Sequence, residues 1–342
     1  IQSTNKTTHT QVKVYTIAGF NYFRLRDMGA LLGFDVDYDK GRNSAHIYTP
    51  GYSPEPDTTE PGRVILGNER IFNDYHHLIA GKRVGLITNQ TGVDANGVPT
   101  EDRLLQDPSV TLVALYSPEH GLDGKAKAGA WVESYTDQRL GLPVYSLYGK
   151  TRKPSPKMLQ GVDVLLYDMQ DIGSRTYTYI STLNYAMRAA KENKIPIVVL
   201  DRPNPLGGEI VEGYMREDRF QSFVGVDRMP MAHGMTAGEL GNYFNRNIGA
   251  DLTVVPMKNW TRNMVWQDTG LPFKQTSPNI PNLESAILYM ATGSGEGTGI
   301  GQSDYFHWVG GKNINSQAYA KALNQAGLPG VKFVPQDKGN RG

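Results

Sequence analysis

The chain of 342 residues contains no cysteine. That absence removes disulfide frameworks, thiol nucleophiles and thiolate-bound zinc or iron–sulfur centres together. An excess of either charge is also missing: 35 Lys and Arg face 34 Asp and Glu, a net charge of +1, so no broad field draws the chain to nucleic acid or an anionic membrane. Nucleic acid is not expected as a partner. The longest apolar stretches, such as VDVLLY (162–167) and IPIVVL (195–200), fall far short of the ~20 residues that cross a bilayer, and no membrane span is expected. The turn after the first strand pattern reads TNQTGVDANG instead of G-x-G-x-x-G, and neither G-x-x-x-x-G-K-[ST] nor G-x-S-x-G occurs, which disfavours a nucleotide phosphate cradle and leaves a serine hydrolase without a nucleophile. Seven histidines are present without an H-E-x-x-H, and adjacent His76 and His77 project in different directions from a helix. Neither a metal nor a cofactor is expected. An initiator methionine and a signal peptide are absent as well, and the chain is expected to be a mature or excised piece.

What is present has an order. After a polar tail, VKVYTI alternates like a strand, AGFN reads as a turn, YFRLRDMGALLGF has helical spacing, and FDVDYD and SAHIYT form a strand pair. This predicts a small α+β domain over residues 1–50. GYSPEPDTTEPG, with three prolines and three acidic residues, marks a linker over 51–63. From Val64 the rhythm becomes strand–helix: RVGLIT, VTLVALY, VDVLLY, IPIVVL and LTVVP alternate with TEDRLLQ, TYTYISTLNYAMRAAKEN and TAGELGNYFNRN. Near-continuous apolar strands separated by helices predict an α/β fold, a Rossmann-like doubly wound parallel sheet over 64–275. Residues 276–342 read as the start of a smaller C-terminal α/β subdomain, with helical patterns at NLESAILYMAT and INSQAYAKALNQAG.

In such a sheet, ligands bind beyond the carboxyl ends of the strands. The first strand end offers Asn89 and Gln90, the second Glu119 and His120, the third Asp168, Gln170, Asp171, Arg175, Tyr177 and Tyr179, and the fourth Asp201, Arg202 and Asn204. A single Asp or Asn there is usually a cap or turn residue; the coincidence of carboxylates, amides, an arginine and tyrosines along one edge points to a pocket. With thiol, serine, metal and nucleotide chemistry set aside, carboxylate acid–base work remains. Glu119 follows an apolar strand and suits a general acid, with Asp168, Asp171 or Asp201 as base or stabiliser. Arg175, Tyr177 and Tyr179 suit a polyhydroxylated, anionic ligand, although helix packing explains the tyrosines equally well. His120 and His233, each before a glycine, read as hydrogen-bonding groups.

The series ITNQTG, YSPEHGLDG, YDMQDIGSRTYTY, DRPNPLGG, MAHGMTAGE and SPNIPN resembles, in order, the NamZ family of exo-β-N-acetylmuramidases, from about Val64 to Val334. The resemblance implies a Rossmann-like domain with a smaller C-terminal domain and a cleft between them. It implies release of N-acetylmuramic acid from non-reducing ends of peptidoglycan or muropeptide fragments. The family's proposed catalytic glutamate falls on Glu119, with His120, Asp168 and Asp171 in the catalytic motifs; His233 matches the family histidine, and Asn279 and Glu296 join the substrate contacts. The loop TGSGEGTGIG departs from the family's arginine-bearing T-N-x-S-x-G-R-G-T, and the chain ends at VKFVPQDKGNRG, where the family's C-terminal domain would continue. VYTIAGFNYFRLRDMGALLGFDVDYD is similar to the stalk-type N-terminal domain of copper amine oxidases found on exported proteins of Gram-positive bacteria, which implies a secreted or wall-associated location. The substrate's own 2-acetamido group is an alternative nucleophile. A non-catalytic wall-glycan binder is the competing function.

Overall fold

Strands whose successive residues are all apolar must be covered on both faces, and this requirement organises the larger of two units, Ile1–Pro61 and Gly62–Gly342. The computed structural model describes residues 62–295 and 304–342, together with four short strands in the first unit. Those are β1 (Val14–Ile17), β2 (Phe20–Phe23), β3 (Asp35–Asp39) and β4 (Ser44–Tyr48), with β1 antiparallel to β2 and β3 antiparallel to β4. The expected pair FDVDYD and SAHIYT is thus formed; of the helix expected at 22–34, Tyr22 and Phe23 belong to β2 instead, and the rest, with most of the linker, lies outside the described residues.

In the second unit β5 (Arg83–Thr88), β6 (Thr111–Ser117), β7 (Tyr135–Asp137), β8 (Leu142–Ser146), β9 (Val164–Asp168), β10 (Ile197–Leu200) and β11 (Leu252–Val255) form one sheet in the order β11-β10-β9-β5-β6-β8-β7. All neighbours are parallel except β7, which is antiparallel to β8. The helices are α1 (Gly67–Arg70), α2 (Thr100–Gln106), α3 (Tyr179–Asn193), α4 (Ala237–Ile248), α5 (Leu283–Thr292) and α6 (Ser316–Gln325). In β9, Leu165 and Tyr167 pack with Leu183 and Met187 of α3 and Phe244 of α4, while Val164 and Leu166 pack with Ile71 and with Leu104 of α2. Two cores, one per face, are the doubly wound arrangement that the sequence predicts.

The sheet reverses direction at β5, with β6 on one side and β9 on the other. That switch point, where open α/β sheets commonly take ligands, is filled by protein. Arg202 Nε donates to Asp168 Oδ1 at 2.5 Å, and the pair is 4% and 0% exposed. Thr100 Oγ1 and Asn68 Nδ2 donate to the other oxygen of Asp168 at 2.6 and 3.2 Å.

Helix ends follow local chemistry. In TAGE, Thr236 and Glu239 form a capping box on α4: Glu239 N–H donates to Thr236 Oγ1 at 3.2 Å and Thr236 N–H to Glu239 Oε2 at 3.0 Å. Asn282 Oδ1 caps α5 through the Ser285 N–H at 2.9 Å. Among the described residues after 276 there are two helices and no strand. No helix there or elsewhere among the described residues is long and apolar enough to cross a membrane.

Candidate active site

Beside the filled switch point, a cavity of about 510 Å³ opens over the carboxyl ends of β6, β8 and β9. Glu119 and His120 come to it from the end of β6, Tyr148 from the end of β8, and Thr176, Tyr177 and Thr178 from the loop before α3. Its far wall is Ser277, Asn279, Ile280, Tyr289 and Phe306. Tyr177 meets Tyr289 edge-on with ring centroids 6.2 Å apart, and Tyr289 meets Phe306 edge-on at 4.7 Å. The volume is within the range of small-molecule sites, and an aromatic wall with few polar groups is their usual lining.

Glu119 is 7% exposed, so each carboxylate oxygen needs a donor. Gly129 N–H donates to Oε1 at 2.7 Å and Thr178 Oγ1–H to Oε2 at 2.6 Å. Gly129 has φ +72°, a conformation open to glycine and strained for other residues, which aims its amide at the carboxylate. Thr178 is at the cap position of α3 yet makes no side-chain bond to its own helix; its hydroxyl goes to Glu119. His120, with φ +71°, places Nδ1 at 2.7 Å from Ala126 O and so fixes the turn that carries Glu119. Burial, then the Glu119 carboxylate, pushes the Tyr148 phenol above its usual range, while Arg152 pulls it back.

Of the residues expected from the sequence, Glu119, His120, Tyr177 and Asn279 line this cavity. Glu296 lies outside the described residues. The remaining residues support the loops around the cavity. Asp168 is corrected from a catalytic to a structural group, because both its oxygens are taken by Arg202, Thr100 and Asn68; Arg202 also donates to Val93 O at 2.8 Å. Asp171 Oδ2 accepts the Gly173 N–H at 2.7 Å and faces His233 Nε2 at 3.1 Å. Met235 N–H donates to His233 Nδ1, so the imidazole proton sits on Nε2, toward Asp171. These two tie the loop together outside the cavity lining, and Asp171 Oδ1 is buried without a hydrogen-bond partner. Asp201 Oδ1 accepts the Gly238 N–H at the start of α4 at 2.7 Å; burial raises its pKa to about 6.

The amides behave alike. Asn89 Oδ1 accepts from Thr91 N–H and Oγ1–H, Gln90 donates to Gln275 O and Thr276 O, Gln170 to Asp171 O and Pro203 O, and Asn204 to Met235 O. Arg175, expected to bind ligand, donates Nη1 to Tyr214 O and Met229 O at 2.7 and 2.8 Å. Tyr179 is fully buried and donates to Thr276 O. None of these lines the cavity. Among the described residues no group of three or more His, Asp or Glu could hold a metal ion.

Most of the other lining residues, Gly129 and Tyr289 among them, carry no sequence signal of a site. Thr178 was in plain view within TYTY. Tyr148 and Arg152 follow β8, a strand whose pattern is masked by Pro143 and by partial exposure along LPVYS.

An α/β fold with a buried, doubly hydrogen-bonded carboxylate in an aromatic cavity suits the acid–base chemistry of a glycosidase. The comparisons agree. Two family models match, the N-terminal part of the exo-β-N-acetylmuramidase NamZ over residues 84–284 and its C-terminal part over 287–337. The peptidoglycan β-N-acetylmuramidase NamZ of Bacillus subtilis (strain 168) is 50% identical over 282 residues, covering 81% of this chain and 68% of the relative. The chain belongs to the NamZ exo-β-N-acetylmuramidase family. A crystal structure of a DUF1343 family protein from Bacteroides fragilis NCTC 9343 superposes with a TM-score of 0.72 at 44% identity, covering 79% of this chain and 71% of that one. A second DUF1343 structure from the same strain gives 0.57 at 34% identity, covering 67% and 60%.

Proposed function

We propose that this protein is an exo-acting glycosidase that releases N-acetylmuramic acid from the non-reducing ends of peptidoglycan fragments, with Glu119 as the acid–base group. The observation that carries the assignment is the hydrogen bonding of Glu119. Gly129 N–H and Thr178 Oγ1–H each occupy one lone pair, of Oε1 and Oε2 respectively, so either oxygen keeps a second lone pair on which a proton can be carried toward the ligand. The carboxyl group can therefore give a proton to the glycosidic oxygen and take one from water without leaving a partner unsatisfied.

A two-carboxylate scheme needs a second carboxylate across the scissile bond, about 5 to 10 Å away. Among the described residues, Glu119 is the one carboxylate lining the cavity; Asp168 and Asp201 are held by protein donors, and Asp171 is held through Oδ2. The substrate's 2-acetamido oxygen supplies the nucleophile in this scheme. It attacks the anomeric carbon as Glu119 protonates the departing oxygen, and Glu119 then deprotonates the water that opens the cyclic intermediate.

We further propose that residues 1–50 are a stalk-type spacer and that the protein works outside the cell at a Gram-positive wall. Exposure of purified glycan strands to the protein, with products followed by mass spectrometry, tests the activity. Free N-acetylmuramic acid accumulates while strands shorten from the non-reducing end. Retention of strands without that product would instead favour a glycan-binding module.

A further inference from the structure

N-acetylmuramic acid differs from N-acetylglucosamine by an anionic lactyl group, and a site for it needs a cation. Among the described residues lining the cavity there is neither Lys nor Arg. Arg175 does not line the cavity, and its Nη1 donates to two backbone carbonyls. We infer that Arg152, working within the muramidase assignment above, is the residue that recognises the lactyl carboxylate and so sets the enzyme's sugar specificity.

Arg152 is half-buried and its guanidinium lies over the Tyr148 ring, 3.4 Å from the centroid, and over the Phe223 ring at 4.7 Å. Tyr148 lines the cavity, as does Val224, the residue after Phe223. The guanidinium is thus held against the Tyr148 ring, one layer behind the cavity lining. Its Nη1 is buried and has no hydrogen-bond partner. A buried N–H without an acceptor is costly and calls for an explanation. Stacking occupies the faces of the guanidinium and leaves Nη1, on the edge by which an arginine grips a carboxylate, without an acceptor. The two aromatic rings fix the fork before ligand arrives, so little side-chain entropy is lost on binding.

Calorimetric titration of the wild-type protein and of Arg152→Met and Arg152→Lys with free N-acetylmuramic acid and with its lactyl methyl ester tests the inference. Wild type prefers the acid over the neutral ester by about 30-fold, the size of a charge-assisted pair. Arg152→Met loses most of that preference while its affinity for the ester stays within about threefold, and Arg152→Lys retains part of it, since a point charge lacks the fork. An unchanged preference in Arg152→Met, or an equal loss of affinity for acid and ester, would overturn the role. A wild-type protein that binds neither ligand would overturn the muramidase assignment and this subsite with it; failure of the variant contrast alone overturns only the subsite.

Discussion

At the scale of single residues, Thr178 and Gly129 decide what Glu119 can do. Replacing Thr178 by Val removes the partner that can both donate and accept, and kcat falls about tenfold or more, as loss of a hydrogen bond to a charged group implies; Thr178→Ser keeps the hydroxyl and most of the rate. Equal turnover by Val and Ser variants would show that the hydroxyl is idle. That Glu119 is the one carboxylate lining the cavity among the described residues has its own consequence. Replacing the substrate acetamido group by trifluoroacetamido weakens the internal nucleophile, so kcat drops steeply with fluorination, whereas a flat series would require a carboxylate nucleophile from the protein. Asp168 is expected to behave in the opposite way to Glu119. Its substitution by Ala strands Arg202 in the core and lowers unfolding free energy by about 3–5 kcal/mol in denaturant titration. Loss of activity at unchanged stability would return Asp168 to the catalytic group.

Elements explain why some of this was legible and some not. Strands such as RVGLIT and helices such as TEDRLLQ carry their period in the residues themselves, and both formed with the expected bounds. β8 did not announce itself, because Pro143 and half-exposed Tyr145 break the apolar run of an outer strand; Tyr148 and Arg152 were lost with it. The strand-end rule located the correct edge of the sheet, yet it could not say which polar groups turn inward to tie loops together. Asp168 and Asp201 look like Glu119 in sequence, and they differ only in the donors that tertiary contacts bring to them. The helix caps are testable at this scale: Thr236→Ala removes the TAGE cap of α4 and costs about 1 kcal/mol of stability.

For the whole molecule, the acids buried in this scaffold set a pH dependence. Burial raises Glu101 to about 7 and Asp201 to about 6. Both carboxyls bind protons more readily folded than unfolded, so their contribution to stability is fully present below the unfolded values and is lost as pH rises through about 6 and 7. Urea midpoints for wild type therefore decline between pH 5 and pH 8, and Glu101→Gln flattens the decline; a midpoint that rises with pH in both proteins would refute this.

The central claim, that one carboxylate beside a filled Rossmann-like crevice performs glycosidic acid–base chemistry, rests on Glu119. Steady-state hydrolysis of a chromogenic β-glycoside of N-acetylmuramic acid by wild type and Glu119→Gln, with thermal unfolding of both, tests it most directly. The account predicts that the variant unfolds as wild type does and releases no measurable chromophore; a folded variant with near-wild-type turnover would contradict it.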